Sequence, residues 1–468
     1  MTIEINSKTA GPRIAPRAVL AGVCVFSFVA TATPAAAQGI PLIRDSEIEK
    51  LLSDYASPIF RAAGFGSGRI KVRIVQNENF NAFVVDGRNI FIHTGALLQA
   101  KAPNEVIGVL AHETGHITGG HMAALRARIA QDQTRALLAQ ILGIGLMVAG
   151  GVAGGNTASD LGSAGQGVMF GGKEVIMRGL MAERRSQESA ADQAGLLFLN
   201  ATKQSGQGML ETFERFAQQE YISEAYKDAF ARSHPLSTNR LARLRKLVSE
   251  SPYFDAKDPP QLQLRHDLMR AKLSGYLERP GIVLNRYPAT DKTLPARYAR
   301  AIARFFQGGA GGLQAALAEV NTLIRDRPNN PYFWELKGDL LMRSGKMRKA
   351  IPSLRQALKL APDASLIRVQ LAAALQNENS KAANNESVKL LRRSLVHDQN
   401  SRAYRLLANG YYKQGKRPEA DAMIAQAYFQ EGNLKQAQIF AKRAQSKLRA
   451  GSPEWLKNDD IINYKPRT

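Results

Sequence analysis

Cysteine is nearly absent from this chain of 468 residues, which contains only Cys24. That residue lies in an apolar run, 18–32, between a basic N-terminal segment and small residues ending at Ala37. This arrangement is typical of a secretory signal peptide, so we expect residues 1–37 to be removed. The remaining chain then has no cysteine. A disulfide is excluded, and any metal site must use His, Asp or Glu.

Acidic residues are also scarce, since 40 Asp and Glu face 63 Lys and Arg, for a net charge of +23. Residues 1–37 contain three basic residues and one acid, so the remaining chain keeps a net charge of +21. Such a charge often indicates nucleic acid. An exported protein meets none at its destination, so we exclude nucleic acid and favour acidic proteins or peripheral contact with an anionic membrane.

Long apolar runs are lacking apart from 136–155, which is apolar except for Gln140 and contains six glycines. Its length would allow a membrane span, but glycine at this density weakens a lone helix. A second glycine-rich stretch, 162–172, follows it. We favour a flap or membrane-interfacial segment over 136–172. A true span and a buried core segment are the alternatives.

The segment His112-Glu113-Thr114-Gly115-His116 carries the most specific chemical signal. Two histidines four apart on a helix project from one face, at a separation where both can bind one Zn²⁺. Glu113 can then lean over the open position of the metal and accept a proton from water. The alternative is a surface helix with two incidental histidines.

The third ligand of such a site is expected at Glu188, since a catalytic zinc takes three protein ligands and keeps one open position. Asp192 lies four residues later and shares a helix face with Glu188. We expect Asp192 to accept the outer N–H of a ligating histidine. Alone, this acidic pair is a weak signal, and a solvated pair on a helix is the alternative.

Local patterns predict a helix over 46–66, strands over 71–76, 82–85 and 89–93, and a helix over 105–127. We expect the strands to form a small antiparallel sheet ahead of the helix that carries the two histidines. An edge strand of that sheet can hold an extended peptide beside the metal by strand addition.

From about residue 295 the pattern changes to repeats typical of tetratricopeptide units. Pro328 and Pro362 are 34 residues apart, and small and aromatic residues fall at packing positions between them and again over 404–427. The unit at 365–398 is degenerate. Residues 295–450 contain 27 Lys and Arg and 11 Asp and Glu, which indicates either an electrostatic docking surface or a solvated face.

The histidine segment, followed by Glu188-x-x-Ala191-Asp192, resembles the M48 zinc metallopeptidases. Asn81, Ala82 and Phe83 resemble that family's substrate-side strand. The resemblance implies one Zn²⁺ per chain held by His112, His116 and Glu188, with Glu113 as the catalytic base. It implies an α+β zincin-type (gluzincin-like) domain, mostly helical with a small antiparallel sheet, followed by an all-α tetratricopeptide solenoid.

The same resemblance draws attention to His234 and Arg240. In similar proteases a His-Pro segment with a later arginine lies at the active site. The histidine either occupies the fourth zinc position at rest or stabilises the oxyanion when it is displaced. Without the resemblance, His234 is a loop residue. We expect His121, which is off the ligand face, to be structural, and His93, His266 and His397 have no partner at ligand spacing.

The resemblance, taken with the expected signal peptide and the repeats, implies a zinc metalloendopeptidase of the periplasm that degrades misfolded or stalled outer-membrane and periplasmic proteins. We expect the protease domain over 38–255, a helical linker over 256–294, the repeats over 295–450 and a tail over 451–468. The repeats would recruit substrate or the outer-membrane β-barrel assembly machinery. The alternative is a mostly latent protease that acts as a chaperone or scaffold.

Overall fold

The structure is a computed structural model that describes residues 2–3, 41–128, 130–132, 178–179, 181–217, 229–309 and 311–466. The glycine-rich segment 136–172, and the expected signal peptide apart from residues 2–3, lie outside these residues. Among the helices that are described, none combines the length and the apolar character needed to cross a membrane.

Within the described residues, five short strands form one sheet: β1 (Thr2–Ile3), β2 (Leu42–Arg44), β3 (Lys71–Val75), β4 (Ala82–Val84) and β5 (Asn89–His93). Of these, β1 lies in the segment that we expect to be removed. Their order across the sheet is β1-β2-β3-β5-β4. The expectation of an antiparallel sheet is wrong for one pairing, because β3 runs parallel to β5 while the other pairs are antiparallel. The sheet is therefore mixed.

A tight turn at Asp86-Gly87 joins β4 to β5, the antiparallel pair at one edge of the sheet. Asp86 Oδ1 accepts hydrogen bonds from the backbone N–H groups of Arg88 and Asn89, both at 2.9 Å, and Gly87 has a φ of +70°. β4 and β5 thus form a tight hairpin. β4 is therefore the edge strand, and β5 pairs with β3 on its other side. Alternating apolar residues predict strands, but they do not specify which strands pair.

Helix α1 (Ser46–Ala62) packs on this sheet, ending four residues before its predicted end. Its N-terminus is capped by Asp45, whose Oδ1 accepts hydrogen bonds from the N–H groups of Glu47 and Ile48 at 3.1 and 3.0 Å. The apolar residues at helical spacing, among them Leu51 and Leu52, are fully buried in the core of the N-terminal half.

The other helices described in the N-terminal half are α2 (Thr94–Gln99), α3 (Pro103–Thr118), α4 (from 121, described to 128 and over 130–132), α5 (described over 178–179 and 181–201), α6 (Gln207–Ala217), α7 (Ala229–Ser233) and α8 (Thr238–Ser249). The helix predicted over 105–127 is broken into α3 and α4. Gly119 and Gly120 separate them, and Gly120 has a φ of +62°. This is a left-handed conformation that a continuous helix does not contain.

Two further helices connect the halves, α9 (Pro260–Leu277) and α10 (Pro280–Arg286). Met269 and Leu273 of α9 belong to the core of the N-terminal half. Leu268 and Ala271, on another side of the same helix, belong to the first core of the repeat half. The segment predicted as a linker therefore contributes to both cores.

The repeat half contains α11 (Leu294–Gln307), α12 (Gly312–Asp326), α13 (Pro331–Arg343), α14 (Met347–Leu360), α15 (Ser365–Leu375), α16 (Lys381–Leu395), α17 (Ser401–Lys413), α18 (Arg417–Gln430), α19 (Leu434–Gln445) and α20 (Pro453–Asn463). The degenerate unit still forms a helical pair, α15 and α16. Helix α20 arises in the predicted tail and buries Ile461 against Ala437 and Ala441 of α19.

A buried charged group joins the halves, and we call it the junction cluster. The Lys272 ammonium on α9 lies 2.8 Å from Asp45 Oδ2, 3.2 Å from Glu47 Oε2 and 3.4 Å from Glu335 Oε2. Tyr298 of α11 donates a hydrogen bond to Glu47 at 2.9 Å. The start of α1 is thereby tied through α9 to α11 and α13, which fixes the repeats against the N-terminal half.

Candidate metal centre

Helix α3 brings His112 and His116 together, as their spacing predicts. Their Nε2 atoms are 3.1 Å apart. The helix begins at Pro103, and the Glu105 carboxylate accepts hydrogen bonds from the N–H groups of Lys101 and Ala102 at 2.7 and 3.2 Å. His112 is completely buried, whereas the His116 side chain is 12% exposed. The open side of the centre therefore lies at His116.

Helix α5 carries Glu188 to the two histidines because it approaches α3 closely. At Gly115 an added Cβ would lie 2.6 Å from the Ala191 carbonyl oxygen, so only glycine permits this approach. One Glu188 oxygen lies 3.5 Å from His112 Nε2, and the other lies 3.5 Å from His116 Nε2. The structure thus brings the third expected donor to the histidine pair.

Asp192 lies one turn further along α5, on the outer side of His112. Its Oδ1 is 2.9 Å from His112 Nδ1, which leaves Nε2 directed at the other donors. Arg240 of α8 forms a fork on Asp192, with nitrogen–oxygen distances of 2.6 and 2.7 Å, and its Nη1 lies 3.0 Å from Glu188 Oε2. Arg240 therefore links the carboxylates of two predicted site residues.

His234, between α7 and α8, closes the group. Its Nδ1 lies 3.2 Å from His112 Nε2 and 3.1 Å from Glu188 Oε2. Its Nε2 lies 3.3 Å from Glu113 Oε1 and 3.3 Å from the Ala82 carbonyl oxygen. Only 4% of His234 is exposed. The resemblance that drew attention to His234 therefore located a residue of the centre, which sequence spacing alone would have left in a loop.

The four donor side chains converge closely enough to share one divalent metal ion. Ligand atoms of His112, His116, Glu188 and His234 all lie within 4.8 Å of one another, and the neighbouring distances given above are 3.1–3.5 Å. A tetrahedron with metal–nitrogen bonds of 2.0–2.1 Å has edges of about 3.3–3.4 Å. Among the described residues, no other group of His, Cys, Asp or Glu has this arrangement.

The charges of the centre also favour a cation. Burial opposes ionisation of Glu188, but the charge of His234 and hydrogen bonds from the histidines hold its pKa well below the usual range. Burial alone would lower the pKa of His234, yet the charges of Glu188 and Glu113 raise it to about 10. A histidine that binds metal is neutral, and with His234 neutral the carboxylates of Glu113, Glu188 and Asp192 exceed the single guanidinium of Arg240 by two charges, which one divalent cation would balance.

The expected substrate strand lies at the open edge of the sheet, beside the centre. Asn81 is the residue before β4, and its carbonyl oxygen accepts a hydrogen bond from the His93 N–H at 2.9 Å, inside the sheet. Ala82 is the next residue, so its carbonyl points away from β5, where His234 contacts it. Phe83 stacks on Phe91 with ring centroids 5.4 Å apart. Ala82 thus offers the backbone groups that an added strand would use.

His121 lies beside the centre, outside the metal-donor group, although a continuous helix would have turned it away from His116. Its Nδ1 lies 2.9 Å from His116 Nδ1, and only 9% of it is exposed. Burial, followed by the charge of His116, lowers its pKa to about 4. Gly119 and Gly120 are the sequence signal for this position. Because they end the helix, His121 does not have the direction that a continuous helix would give it.

The remaining histidines lie elsewhere. His266 is fully buried between the Tyr55 hydroxyl at 3.1 Å and the Ala100 carbonyl oxygen at 3.0 Å. His93 faces the Asn79 carbonyl oxygen at 3.3 Å, and His397 is exposed on the repeats. None of these three belongs to the metal-donor group.

A small sheet, a helix with His-Glu-x-x-His and a second helix with a third donor define a metallopeptidase. The family model described as Peptidase family M48 matches residues 43–248. The model described as Cytochrome c-type biogenesis protein H TPR domain matches residues 314–431. The chain therefore combines an M48 peptidase domain with a tetratricopeptide domain, and by class it is a metalloendopeptidase.

Several curated relatives resemble most of the chain. The Beta-barrel assembly-enhancing protease of Yersinia pestis is 24% identical over 91% of this chain and 85% of its own length. The protein of that name from Escherichia coli (strain K12) is 23% identical over 90% of this chain and 84% of its own length. Metalloprotease LoiP of Escherichia coli (strain K12) is 25% identical over 44% of this chain and 72% of its own length.

Proposed function

We propose that this chain is a zinc-dependent metalloendopeptidase of the cell envelope that degrades misfolded or stalled outer-membrane and periplasmic proteins. The observation that carries the proposal is the buried donor group, whose spacing matches a tetrahedral zinc site and which has Glu113 beside it. The expected signal peptide, and two relatives named beta-barrel assembly-enhancing protease, support the envelope location and the substrate class.

In this proposal His112, His116 and Glu188 hold zinc. Zinc supplies Lewis acidity toward the scissile carbonyl and lowers the pKa of water to about 7. Glu113 accepts the proton of the attacking water and delivers it to the leaving amine. Burial would raise the pKa of Glu113, but the neighbouring His234 and the other histidines lower it, so Glu113 is ionised and can accept a proton.

Asp192 and Arg240 position these groups. The Asp192 carboxylate accepts the Nδ1 proton of His112, which leaves the lone pair of Nε2 for the metal. Arg240 holds both Asp192 and Glu188 and is itself 8% exposed, against the Phe213 ring. Loss of Arg240 would therefore leave two buried carboxylates without their shared cation.

His234 is the proposed regulator, because it contacts two places that a substrate needs. Its Nδ1 lies among the metal donors, and its Nε2 faces the outward carbonyl of Ala82 on the substrate strand. Removal of the ring would free the fourth metal position and the strand edge together. We expect His234→Ala to raise cleavage if the residue is mainly a plug and to lower it if it mainly stabilises the oxyanion. Wild-type cleavage with zinc retained would exclude both roles.

The second candidate is a mostly latent protease that serves as a chaperone or scaffold in outer-membrane protein assembly. The burial of His234 at the centre favours it, since the resting site is then covered. The basic repeats would recruit unfolded proteins or the β-barrel assembly machinery. Full complementation of an envelope-stress phenotype by Glu113→Gln would favour this candidate, and failure to complement would favour the protease.

The decisive test of the proposed function is proteolysis by the Glu113→Gln variant. A carboxamide cannot take the proton from water, so cleavage of an unfolded polypeptide should fall by about 10²- to 10⁴-fold. Zinc content should stay near that of the wild type, because Glu113 is not a ligand. Glu211→Gln, at an exposed glutamate of α6, is the matched control. Undiminished cleavage by Glu113→Gln would remove the assignment.

A further inference from the structure

His121 stands at an unusual turn immediately after the metal-binding helix. Five residues along a continuous helix correspond to a rotation of about 140° from His116, away from the ligand face. The chain instead leaves α3 at Thr118, turns through Gly120 with its φ of +62°, and starts α4 at 121. The turn folds the His121 ring back onto His116, with ring centroids 4.9 Å apart at 81°.

The space for this ring is made by the residue at 119. An added Cβ at Gly119 would lie 2.3 Å from His121 Nε2 and 2.7 Å from its Cδ2. Any larger residue there would have to displace the ring. Together with the closely fitted hydrogen bond of 2.9 Å between the Nδ1 atoms of His121 and His116, this points to a specific position for His121 rather than to incidental packing.

His112 and His116 of α3 differ in the group that their Nδ1 atoms contact. His112 Nδ1 faces the Asp192 carboxylate, whereas His116 Nδ1 faces a second imidazole. A neutral imidazole has one N–H, so a His116 that binds metal through Nε2 carries its proton on Nδ1. That proton can only be donated to a lone pair on His121 Nδ1, which requires His121 to carry its own proton on Nε2.

We propose that His121 is the positioning residue of His116, accepting its Nδ1 proton and holding Nε2 directed at the metal. The inference rests on the proposed function, since it takes His116 as a ligand. An uncharged acceptor also differs from the carboxylate on His112, so the two ligand histidines would not donate equally to the metal. His121 acts through His116 and does not touch substrate.

The test measures zinc affinity, by competition with a chromophoric chelator, in the full-length mature protein. His121→Phe keeps a ring of similar size but has no acceptor, and it should weaken zinc binding by about 10- to 100-fold. His121→Asn offers a carbonyl oxygen close to the position of Nδ1 and should stay within about threefold of the wild type. His397→Phe, at an exposed histidine of the repeats, is the matched control.

Equal zinc affinity in His121→Phe and the wild type would overturn the proposal, as would an equal loss in His121→Phe and His121→Asn. A wild type that binds no zinc would instead remove the proposed function. If a variant does not fold, ¹⁵N-histidine spectra of the zinc-loaded wild type provide the answer. We expect the Nδ1–H tautomer at His116 and the Nε2–H tautomer at His121, and an Nδ1–H tautomer at His121 contradicts the proposal.

Discussion

The metal centre and the junction cluster bury the same kinds of charge and balance them differently. Each contains one basic side chain and three carboxylates. At the junction all three contact Lys272, whereas in the centre Arg240 contacts Glu188 and Asp192 and the third carboxylate, Glu113, lies against His234. The centre adds three imidazoles whose nitrogens converge. The junction adds the hydroxyl of Tyr298, which contributes no positive charge. The excess negative charge of the metal centre therefore needs a bound cation, whereas that of the junction cluster needs protons on its carboxyl groups.

The pKa shifts follow this difference. In the centre, His234 and the ligand histidines outweigh burial and hold the pKa of Glu188 well below its usual range. At the junction, burial is the dominant cause and raises the pKa of Glu335 to about 7, with Lys272 opposing it. Burial likewise raises the pKa of Glu47. Convergent imidazoles thus distinguish a metal centre from a structural charge cluster of similar composition.

Removal of Lys272 should have the largest effect on stability. Lys272→Met leaves three carboxylates buried around an apolar side chain, which should lower the free energy of unfolding by about 3–5 kcal/mol. Urea unfolding of the metal-free protein measures it. A decrease in the free energy of unfolding below about 1 kcal/mol would show that the junction cluster does not depend on the Lys272 ammonium. The comparison of Lys272 with Arg240 as buried cations would then be wrong.

The pH dependence of stability should separate the two clusters next. Glu335 has a folded-state pKa of about 7, above its usual 4.5. Its stabilising contribution is present below pH 4.5 and is lost as the pH rises through 7. The loss is at most about 3 kcal/mol, because one pKa unit corresponds to 1.36 kcal/mol.

Glu335→Gln removes this ionisation and keeps the size of the side chain. Unfolding measured between pH 5 and pH 8 should therefore give a flatter profile for the variant than for the wild type. The same slope in both proteins would contradict the assigned pKa.

Asp192→Asn tests whether zinc binding needs the negative charge beside His112. The amide keeps the shape of Asp192 but loses the charge that holds His112 and Arg240. Zinc affinity should fall by about 10- to 100-fold, equivalent to about 1.4–2.7 kcal/mol. Asp255→Asn, at an exposed aspartate, is the control. Unchanged affinity in Asp192→Asn would mean that His112 needs no anionic partner.

An exposed ion pair should show the smallest effect. Arg443 forms a fork on Asp421 with distances of 2.5 and 2.7 Å, similar to that of Arg240 on Asp192, but 54% of the Arg443 side chain is exposed. Water and salt screen such a pair, so Arg443→Ala should cost about 0.2–1 kcal/mol, and less at high salt. A loss of several kcal/mol in thermal unfolding would show that burial is not what separates these pairs.

The sequence predicted the parts of the molecule that depend on spacing along one element. The helical pair His112 and His116, the helix that carries Glu188 and the repeat helices are all of this kind. The parallel pairing of β3 with β5 depends on where the hairpin lies, and the position of His121 depends on a turn at two glycines. Contacts between distant elements, such as Lys272 with Glu335, follow no local pattern and required the structure.

Binding of zinc to the centre is the claim on which the account depends most directly. Thermal unfolding of the metal-free mature protein, with and without added zinc, tests it. A ligand that binds only the folded state raises the melting temperature, and we expect this rise in the wild type and in Glu113→Gln. Glu188→Gln should show little or no rise, because it loses a ligand. An equal rise in Glu188→Gln, or none in the wild type, contradicts the account.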